Sequence, residues 1–365
     1  MKLNALTSLR FFAALAVFLH HFHFFQHTTS PELQGLYGAF FEGFAGVTFF
    51  YVLSGFIISY SYHAQAKKRL YSAGEFLFNR FARLYPVHLL TLGIAIAAYV
   101  GFNNLNLIDG KVLAANALLI QSYIPDSSYF FSFNGVAWSI SAELFFYVAF
   151  ITLLVKLRTR TLAIIAVAMA MLIGYLINSP LRYNPAYNWI FYINPAFRVI
   201  DFISGMLVFR LFMSGKFRIS EGQGTFVEVA SLALLGMFGY LGLSGVSMLW
   251  RFDLFYLVPM ALVVWVFAQG QGLISKLISG RLFVTLGEAS FSLYMIHQIV
   301  ITVALSNMPV DINQPRQVYW FIGSTVLVGI VGSVAMYLYY EKPLNDFLRR
   351  LWKARSAKYQ VAANN

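Results

Sequence analysis

The feature that most limits what this chain can become is a series of long, continuous apolar segments. A bilayer core is about 30 Å thick, so a helix that crosses it needs about 20 apolar residues. Only 11% of the residues are charged and 59% are hydrophobic, whereas roughly a quarter of a water-soluble domain is charged. Much of the surface must therefore face lipid. Because the apolar runs are continuous rather than alternating, they favour transmembrane helices over a β-barrel.

The pattern predicts an all-α polytopic membrane protein with about ten transmembrane helices. Residues 112–124 are apolar but too short to cross a membrane, which indicates a half-helix or a short re-entrant segment. The predicted spans are 5–27, 40–62, 86–103, 138–157, 161–178, 196–214, 225–243, 251–270, 284–306 and 317–340.

The net charge of +12 is explained by the positive-inside rule, so we expect no nucleic-acid partner. With a cytoplasmic N-terminus, the cytoplasmic Lys and Arg residues outnumber those on the other side by about four to one. Both termini are then cytoplasmic, which requires an even number of spans. The basic residues placed on the cytoplasmic side include Lys2, Lys67, Lys68, Arg69, Arg80, Arg83, Lys156, Arg210, Arg349 and Lys358.

Two polar residues share one face of the first predicted span. Arg10 and His21 are eleven residues apart, which places them within about 20° in helical phase and about 16 Å apart along the axis. An arginine at the centre of a membrane helix costs about 2.5–3.5 kcal/mol, and snorkelling lowers that cost. Two interpretations stay open here. The pair belongs to a functional site, or Arg10 anchors the helix end and His21 is a hydrogen-bonded core residue.

A carboxylate lies inside the fourth predicted span. Ser139, Glu143 and Tyr147 recur at i, i+4 and i+8, so they line one face of a helix. An unpaired carboxylate in hydrocarbon is very costly, so Glu143 faces either a buried cation, as a structural pair, or a polar cavity.

Three further polar residues form a similar stripe in the ninth predicted span. Ser290, Tyr294 and His297 recur at i, i+4 and i+7. In the sixth predicted span, Arg198 and Asp201 are at i and i+3, where they can form an ion pair. We interpret that pair as structural.

Arg80 and Arg83 form a cationic pair on one helix face, just before Pro86 opens the third predicted span. They are either solvated anchors or an anion site, since an arginine fork suits phosphate. Gly55 permits close backbone approach, so the Ser54-Gly55 step is interpreted as a packing position. The sequence contains no cysteine and no metal-binding motif, and we predict neither a metal nor a bound cofactor.

These segments together resemble the acyltransferase-3 family of bacterial membrane proteins, which modify glycans. The resemblance covers nearly the whole chain, and its motifs occur in the family's order. They are LTSLRFFAALAVFLHHF (7–23), FFYVLSGFIISY (49–60), FNRFARLYP (78–86), WSISAELFFY (138–147), NPAFRVIDFISGML (194–207), ASFSLYMIHQ (289–298) and YEKPL (340–344).

The resemblance implies which residues are functional. The family's Arg and His of the first helix, with ten residues between them, fall on Arg10 and His21, although the adjacent His20 departs slightly from the usual pattern. Helical phase favours His21. The family's Arg-x-x-Arg falls on Arg80 and Arg83, and its acidic residue after Trp-Ser falls on Glu143. We expect supporting positions at Ser139, Tyr147, Ser290, Tyr294 and His297.

The resemblance further implies an O-acyltransferase that moves an acetyl group from cytoplasmic acetyl-CoA, used as a co-substrate, to a hydroxyl of a cell-surface or exported glycan. Arg80 and Arg83 then bind the donor. His21 activates the acceptor hydroxyl or carries the acetyl group itself, and Glu143 holds the His21 imidazole, as the acid does in a triad.

Several alternatives remain at this point. The same enzyme class with another donor, such as succinyl-CoA, is one, and a transporter or flippase of a lipid-linked or small anionic substrate is another. The glycan acceptor is either lipid-linked or free, and membrane lipid is a further partner. We expect a multi-pass protein of the bacterial inner membrane, with a membrane acyltransferase domain at 1–345 and a basic cytoplasmic tail at 346–365 on the anionic inner leaflet.

Overall fold

A computed structural model describes residues 3–66, 72–101 and 109–363, and this part of the chain contains helices and no strand. Lys2, Lys67, Lys68 and Arg69, which enter the charge bias, lie outside the described residues, as does the end of the predicted tail at 364–365. The first seven helices are α1 (Asn4–His20), α2 (Pro31–Phe41), α3 (Gly46–Ala66), α4 (Ala73–Gly101), α5 (Gly110–Ala117), α6 (Ser127–Phe130) and α7 (Trp138–Thr152).

The second half of the chain continues in the same way. Its helices are α8 (Thr159–Ile177), α9 (Pro195–Ser214), α10 (Glu221–Leu243), α11 (Met248–Arg251), α12 (Leu254–Gln269), α13 (Leu273–Ile278), α14 (Arg281–Glu288), α15 (Ser290–Asn307), α16 (Pro315–Met336) and α17 (Lys342–Ala363).

The prediction of an all-α polytopic membrane protein is confirmed. Eight helices of the described part are long and apolar enough to cross a membrane, and α14 with α15, bent by 62°, forms a ninth candidate. The remaining predicted span is α9, which is a 20-residue helix but is not among these apolar helices. It carries Arg198, Asp201 and Arg210, and the first two are fully buried. Helix α9 is therefore surrounded by protein where it carries Arg198 and Asp201.

The third predicted span begins earlier than expected. Helix α4 starts at Ala73, and Pro86 lies inside it rather than at its start. Proline removes one backbone hydrogen bond from a helix, and membrane helices tolerate this where neighbours satisfy the freed groups. The Tyr340 hydroxyl donates to the carbonyl of Pro86 itself at 3.2 Å, which ties α4 to the π turn at Tyr337–Glu341. Arg80 and Arg83 lie on the same helix, before Pro86.

Residues 112–124 form a short element, as predicted. Helix α5 ends at Ala117, and a 3-10 turn follows at Gln121–Tyr123. The Gln121 and Ser122 side chains are fully buried, and the Ser141 hydroxyl, on α7, donates to the Leu119 carbonyl at 2.6 Å. The segment is therefore packed against α7 instead of crossing the bundle.

Helices α3 and α9 cross at two glycines. A Cβ on Gly55 would lie 2.0 Å from the Phe202 carbonyl oxygen, and one on Gly205 would lie 1.9 Å from the Val52 carbonyl oxygen. Only glycine permits such close backbone approach, so the packing role expected of Gly55 agrees with the structure.

The end of the last span also differs from the sequence-based boundary. Helix α16 passes through a π-helical turn at Tyr337–Glu341 directly into α17. Pro343 does not end the helix, because proline is accepted in the first turn. The π turn adds a residue to the helical repeat and turns Glu341 inward, where it is 6% exposed.

Candidate active site

Arg10 lies in the second turn of α1, and His21 follows the last residue of that helix. Helix α1 ends at His20, and His21 is its C-terminal capping residue. The span predicted at 5–27 corresponds to the candidate span Asn4–Phe25, in which a 3-10 helix at His23–Phe25 follows α1. The two residues remain about 16 Å apart along the axis. They belong to one site only if a ligand extends along α1.

A cavity of about 150 Å³ lies beside the Arg10 end of α1. It brings together residues that the sequence places on α1, α4, α7 and α15, and it continues along α3. Its polar lining consists of Thr7, Arg10, Tyr51, Ser54, Arg80, Arg83, Ser139, Glu143, Tyr147 and Tyr294. His21 and His297 are not in this lining, and neither is Ser290, whose buried hydroxyl has no hydrogen-bond partner in the described part.

Arg10, Arg80 and Arg83 form what we call the open arginine cluster. Within the described ranges, ion pairs of 4 Å or less are made by Arg198 and Arg251, and by none of these three. The Arg80 guanidinium lies 5.8 Å from the centre of the Phe76 ring, and its buried Nε has no hydrogen-bond partner there. The cluster therefore presents unused donors to the cavity, which suits an anion.

Glu143 does not hold the His21 imidazole, contrary to the role expected from the triad comparison. Its Oε1 accepts a hydrogen bond of 2.6 Å from the Ser54 hydroxyl, and Tyr147 lines the same cavity as Glu143. The reason is geometric: Glu143 lines the cavity with the arginines, whereas His21 caps the far end of α1. Glu143 therefore lies with the open arginine cluster in the cavity and not beside His21.

His297 takes the place beside His21 that the sequence assigned to Glu143. The His297 Nδ1 lies 2.7 Å from the Tyr294 carbonyl oxygen, which only accepts, so the proton is on Nδ1 and Nε2 carries a lone pair. The His21 Nδ1 lies 2.8 Å from the Val17 carbonyl oxygen and 3.3 Å from the His297 Nε2. Both are acceptors, so His21 is protonated on Nδ1. Its Nε2 is then a free base.

Tyr294 connects the cavity to this histidine pair. The Tyr294 hydroxyl lies 2.8 Å from the Ser139 hydroxyl, and the Tyr51 hydroxyl donates to the Ser139 carbonyl at 3.0 Å. Tyr294 lines the cavity, and its backbone carbonyl holds His297. The His21 pair thus lies directly beyond the Tyr294 end of the cavity.

The other histidines near His21 are arranged differently. The His20 ring packs edge-on against His21 at 5.2 Å and against His23 at 4.8 Å, and the His20 Nδ1 lies 2.7 Å from the Phe41 carbonyl oxygen. In the described residues no group of three or more His, Cys, Asp or Glu side chains is placed to hold a metal ion.

Arg198 belongs to a separate group, which we call the paired arginine cluster: Arg198, Asp201 and Asp253. Arg198 is 2.9 Å from Asp201 and 3.9 Å from Asp253, so the structural pair expected from the sequence is formed and extended by a second carboxylate.

Two residues of the cavity region were not identified as functional from the sequence. Ser54 was assigned to packing, yet its hydroxyl faces the cavity and binds Glu143. Glu341 accepts a 2.6 Å hydrogen bond from the Ser292 hydroxyl, and its charge acts on Arg10 and Arg83. The available signal for Glu341 was the motif YEKPL, which places a carboxylate at the end of an apolar span.

Comparisons with known proteins identify the family of this chain. The chain matches the family model Acyl_transf_3, described as an acyltransferase domain, over residues 3–338. It is 30% identical to the acyltransferase MdmB of Streptomyces mycarofaciens over 96% of this chain and 93% of that protein. It is 27% identical to the exopolysaccharide production protein ExoZ of Rhizobium meliloti (strain 1021) over 83% of this chain and 89% of that protein. No solved structure matches. The chain therefore belongs to the acyltransferase-3 family of membrane proteins and is an acyltransferase.

Proposed function

We propose that this acyltransferase moves an acetyl group from cytoplasmic acetyl-CoA to a hydroxyl of a cell-surface or exported glycan. The observation that carries the proposal is the separation of two chemistries along α1. Unpaired arginines surround a cavity at one end, and a histidine with a free Nε2 lies at the other.

This arrangement matches the shape of an acyl-CoA. The phosphates of coenzyme A are separated from its thioester by a long, flexible arm. The open arginine cluster binds phosphate oxygens through arginine forks, while the arm follows the cavity past Ser139 and Tyr294 toward His21. The surplus of Lys and Arg at the Arg80 side supports a cytoplasmic location for the phosphates, with both termini on that side of the inner membrane.

In the reaction we infer, the His21 Nε2 accepts the proton of the acceptor hydroxyl as its oxygen attacks the thioester carbon. The carbon–oxygen bond forms, the carbon–sulfur bond breaks, and the coenzyme A sulfur takes the proton back from His21. During the step His21 is positively charged, and the Val17 carbonyl and the His297 lone pair both face its Nδ1–H. These acceptors stabilise the charge, as the acid does in a triad.

Membership of an acyltransferase family decides against the transporter alternative. The glycan acceptor is supported by the similarity to ExoZ, which is named an exopolysaccharide production protein.

The test uses the protein in proteoliposomes with radiolabelled acetyl-CoA supplied on the Arg80 side and a polysaccharide extract on the other. Label should pass to the polysaccharide, and alkali should release it as acetate, as expected for an ester. Parallel reactions with succinyl-CoA and with the His21→Ala variant should transfer little. Equal transfer from succinyl-CoA would overturn the acetyl assignment, and transfer by His21→Ala would overturn the role of His21.

A further inference from the structure

The C-terminal helix α17 is docked against the arginine-bearing helix α4. The sequence places this basic segment on the lipid surface, but Trp352 stacks on Phe78 with ring centres 4.4 Å apart and an interplanar angle of 20°. A Cβ on Gly74 would lie 3.6 Å from the Trp352 ring. The start of α4 therefore fixes α17 beside Arg80 and Arg83.

Arg349 lies on the docked face of α17. It is three residues before Trp352, which places both side chains on one side of the helix. Its Nε is buried and has no hydrogen-bond partner among the described residues. Its positive charge repels the charges of Arg83 and Arg80. The neighbouring Arg350 is exposed instead. The two adjacent arginines thus have opposite surroundings.

Arg349 adds a fourth positive charge on the helix that packs against α4 beside Arg80 and Arg83. The half-buried carboxylate of Glu143 and the buried carboxylate of Glu341 attract the open arginine cluster, and Asp346 attracts Arg349 from its own helix. Four guanidinium groups brought together with so little opposite charge repel one another. The arrangement is favourable when a ligand with several negative charges binds between them.

The four arginines lie at different depths, so each would contact a different part of such a ligand. Arg10, Arg80 and Arg83 line the cavity, whereas Arg349 is outside its lining. An acyl-CoA that enters with its thioester first places its diphosphate deeper and its ribose 3′-phosphate outermost. We propose that α17 completes the donor site and that Arg349 binds the 3′-phosphate of the donor, an inference that rests on the proposed use of an acyl-CoA.

The experiment compares acetyl-CoA with its 3′-dephospho form by calorimetric titration of the full chain in detergent. Wild-type protein should bind acetyl-CoA about tenfold more tightly than the dephospho form, which corresponds to one charge-assisted contact. Arg349→Ala should bind both forms with equal, weaker affinity. Arg350→Ala is the matched control and should discriminate as wild type does. The ratio of the affinities for acetyl-CoA and its dephospho form is measured within each variant, so a partly unfolded fraction does not alter this ratio.

Two results would overturn the inference and are distinguishable from each other. If Arg349→Ala discriminates the two ligands as wild type does, Arg349 does not bind the 3′-phosphate, although the proposed function stands. If wild-type protein that is shown to be folded binds neither ligand, the acyl-CoA proposal itself fails.

Discussion

Two groups of arginines inside the protein, the open arginine cluster and the paired arginine cluster, differ in what surrounds them. In the paired arginine cluster, Arg198 is fully buried and its two terminal nitrogens contact Asp201, the Thr48 hydroxyl at 3.0 Å and the Phe252 carbonyl, while its Nε has no hydrogen-bond partner among the described residues. Its guanidinium also lies 5.2 Å from the centre of the Tyr51 ring. In the open arginine cluster, the described residues supply no comparable partners, and a cavity lies in front of the side chains.

The difference separates a structural role from a binding role. Burying a charge is costly unless it is paired, so the protein supplies partners for Arg198 from α3, α9 and the residues before α12. The open arginine cluster keeps its donors for a ligand. Tyr51 contacts both regions, since its ring also lines the cavity, so the paired cluster forms one wall of the donor path.

The largest effect is expected in the open arginine cluster. Arg80→Ala/Arg83→Ala should weaken acetyl-CoA binding by about 10²–10⁴-fold, because each lost contact to a charged group contributes about 1.5–3 kcal/mol. The melting temperature should stay close to that of wild type, since no ion pair in the described part is broken. Calorimetry and thermal unfolding in detergent measure both. If this variant binds the donor normally, the cluster only anchors the helix and does not bind acetyl-CoA.

The paired arginine cluster should respond in the opposite way. Arg198→Ala leaves Asp201 and Asp253 buried without their cation, so the free energy of unfolding should fall by about 3–5 kcal/mol, measured by unfolding in detergent. Arg198→Met combined with Asp201→Asn and Asp253→Asn should recover much of this loss. A stable Arg198→Ala protein that fails to bind donor would place Arg198 in the site.

A smaller effect should separate the two candidate partners of His21. His297→Ala should lower kcat by roughly 10- to 100-fold with little change in the KM for acetyl-CoA, because only the proton-transfer step loses support. His297→Gln offers a carbonyl oxygen to the His21 Nδ1–H and should restore part of the rate. Glu143→Gln should leave the pH profile of kcat unchanged. If Glu143→Gln shifts that profile and His297→Ala does not, Glu143 is the orienting group after all.

The smallest effect concerns the helix crossing beside the paired arginine cluster. Gly55→Ala forces α3 away from α9, because the new Cβ would lie 2.0 Å from the Phe202 carbonyl oxygen. Such overpacking should cost about 1–3 kcal/mol of stability and loosen the Arg198–Thr48 contact. Gly93→Ala in α4 is the control, because nothing lies within 4 Å of its Cβ position. Equal stability of the two variants would show that the close crossing is not needed.

Much of the fold follows from periodicity and length alone. Apolar runs identify the spanning helices, and an i, i+3 spacing identifies the Arg198–Asp201 pair, because both are local properties of one helix. Local spacing could not reveal that Pro86 lies within α4 or that the chain passes from α16 into α17 without a break. Those boundaries depend on contacts with other helices, such as Tyr340 with Pro86.

The candidate site is likewise only partly predictable from local spacing. Spacing and family resemblance selected Arg10, Arg80, Arg83, Glu143 and His297, but spacing cannot say which helices are neighbours. Only the packed bundle brings His297 rather than Glu143 to His21. The docking of Arg349 beside Arg83 likewise depends on a stack between α17 and α4, which are far apart in the sequence.

The central claim is that donor binding and proton transfer occur at opposite ends of α1, and the His21→Ala variant tests it most directly. We would measure its affinity for acetyl-CoA and its acetyl-transfer rate in the same preparation. The account predicts a wild-type Kd with a rate lower by about 10²–10⁴-fold, the usual contribution of a general base. A wild-type rate, or a loss of donor binding equal to that of Arg80→Ala/Arg83→Ala, would contradict it.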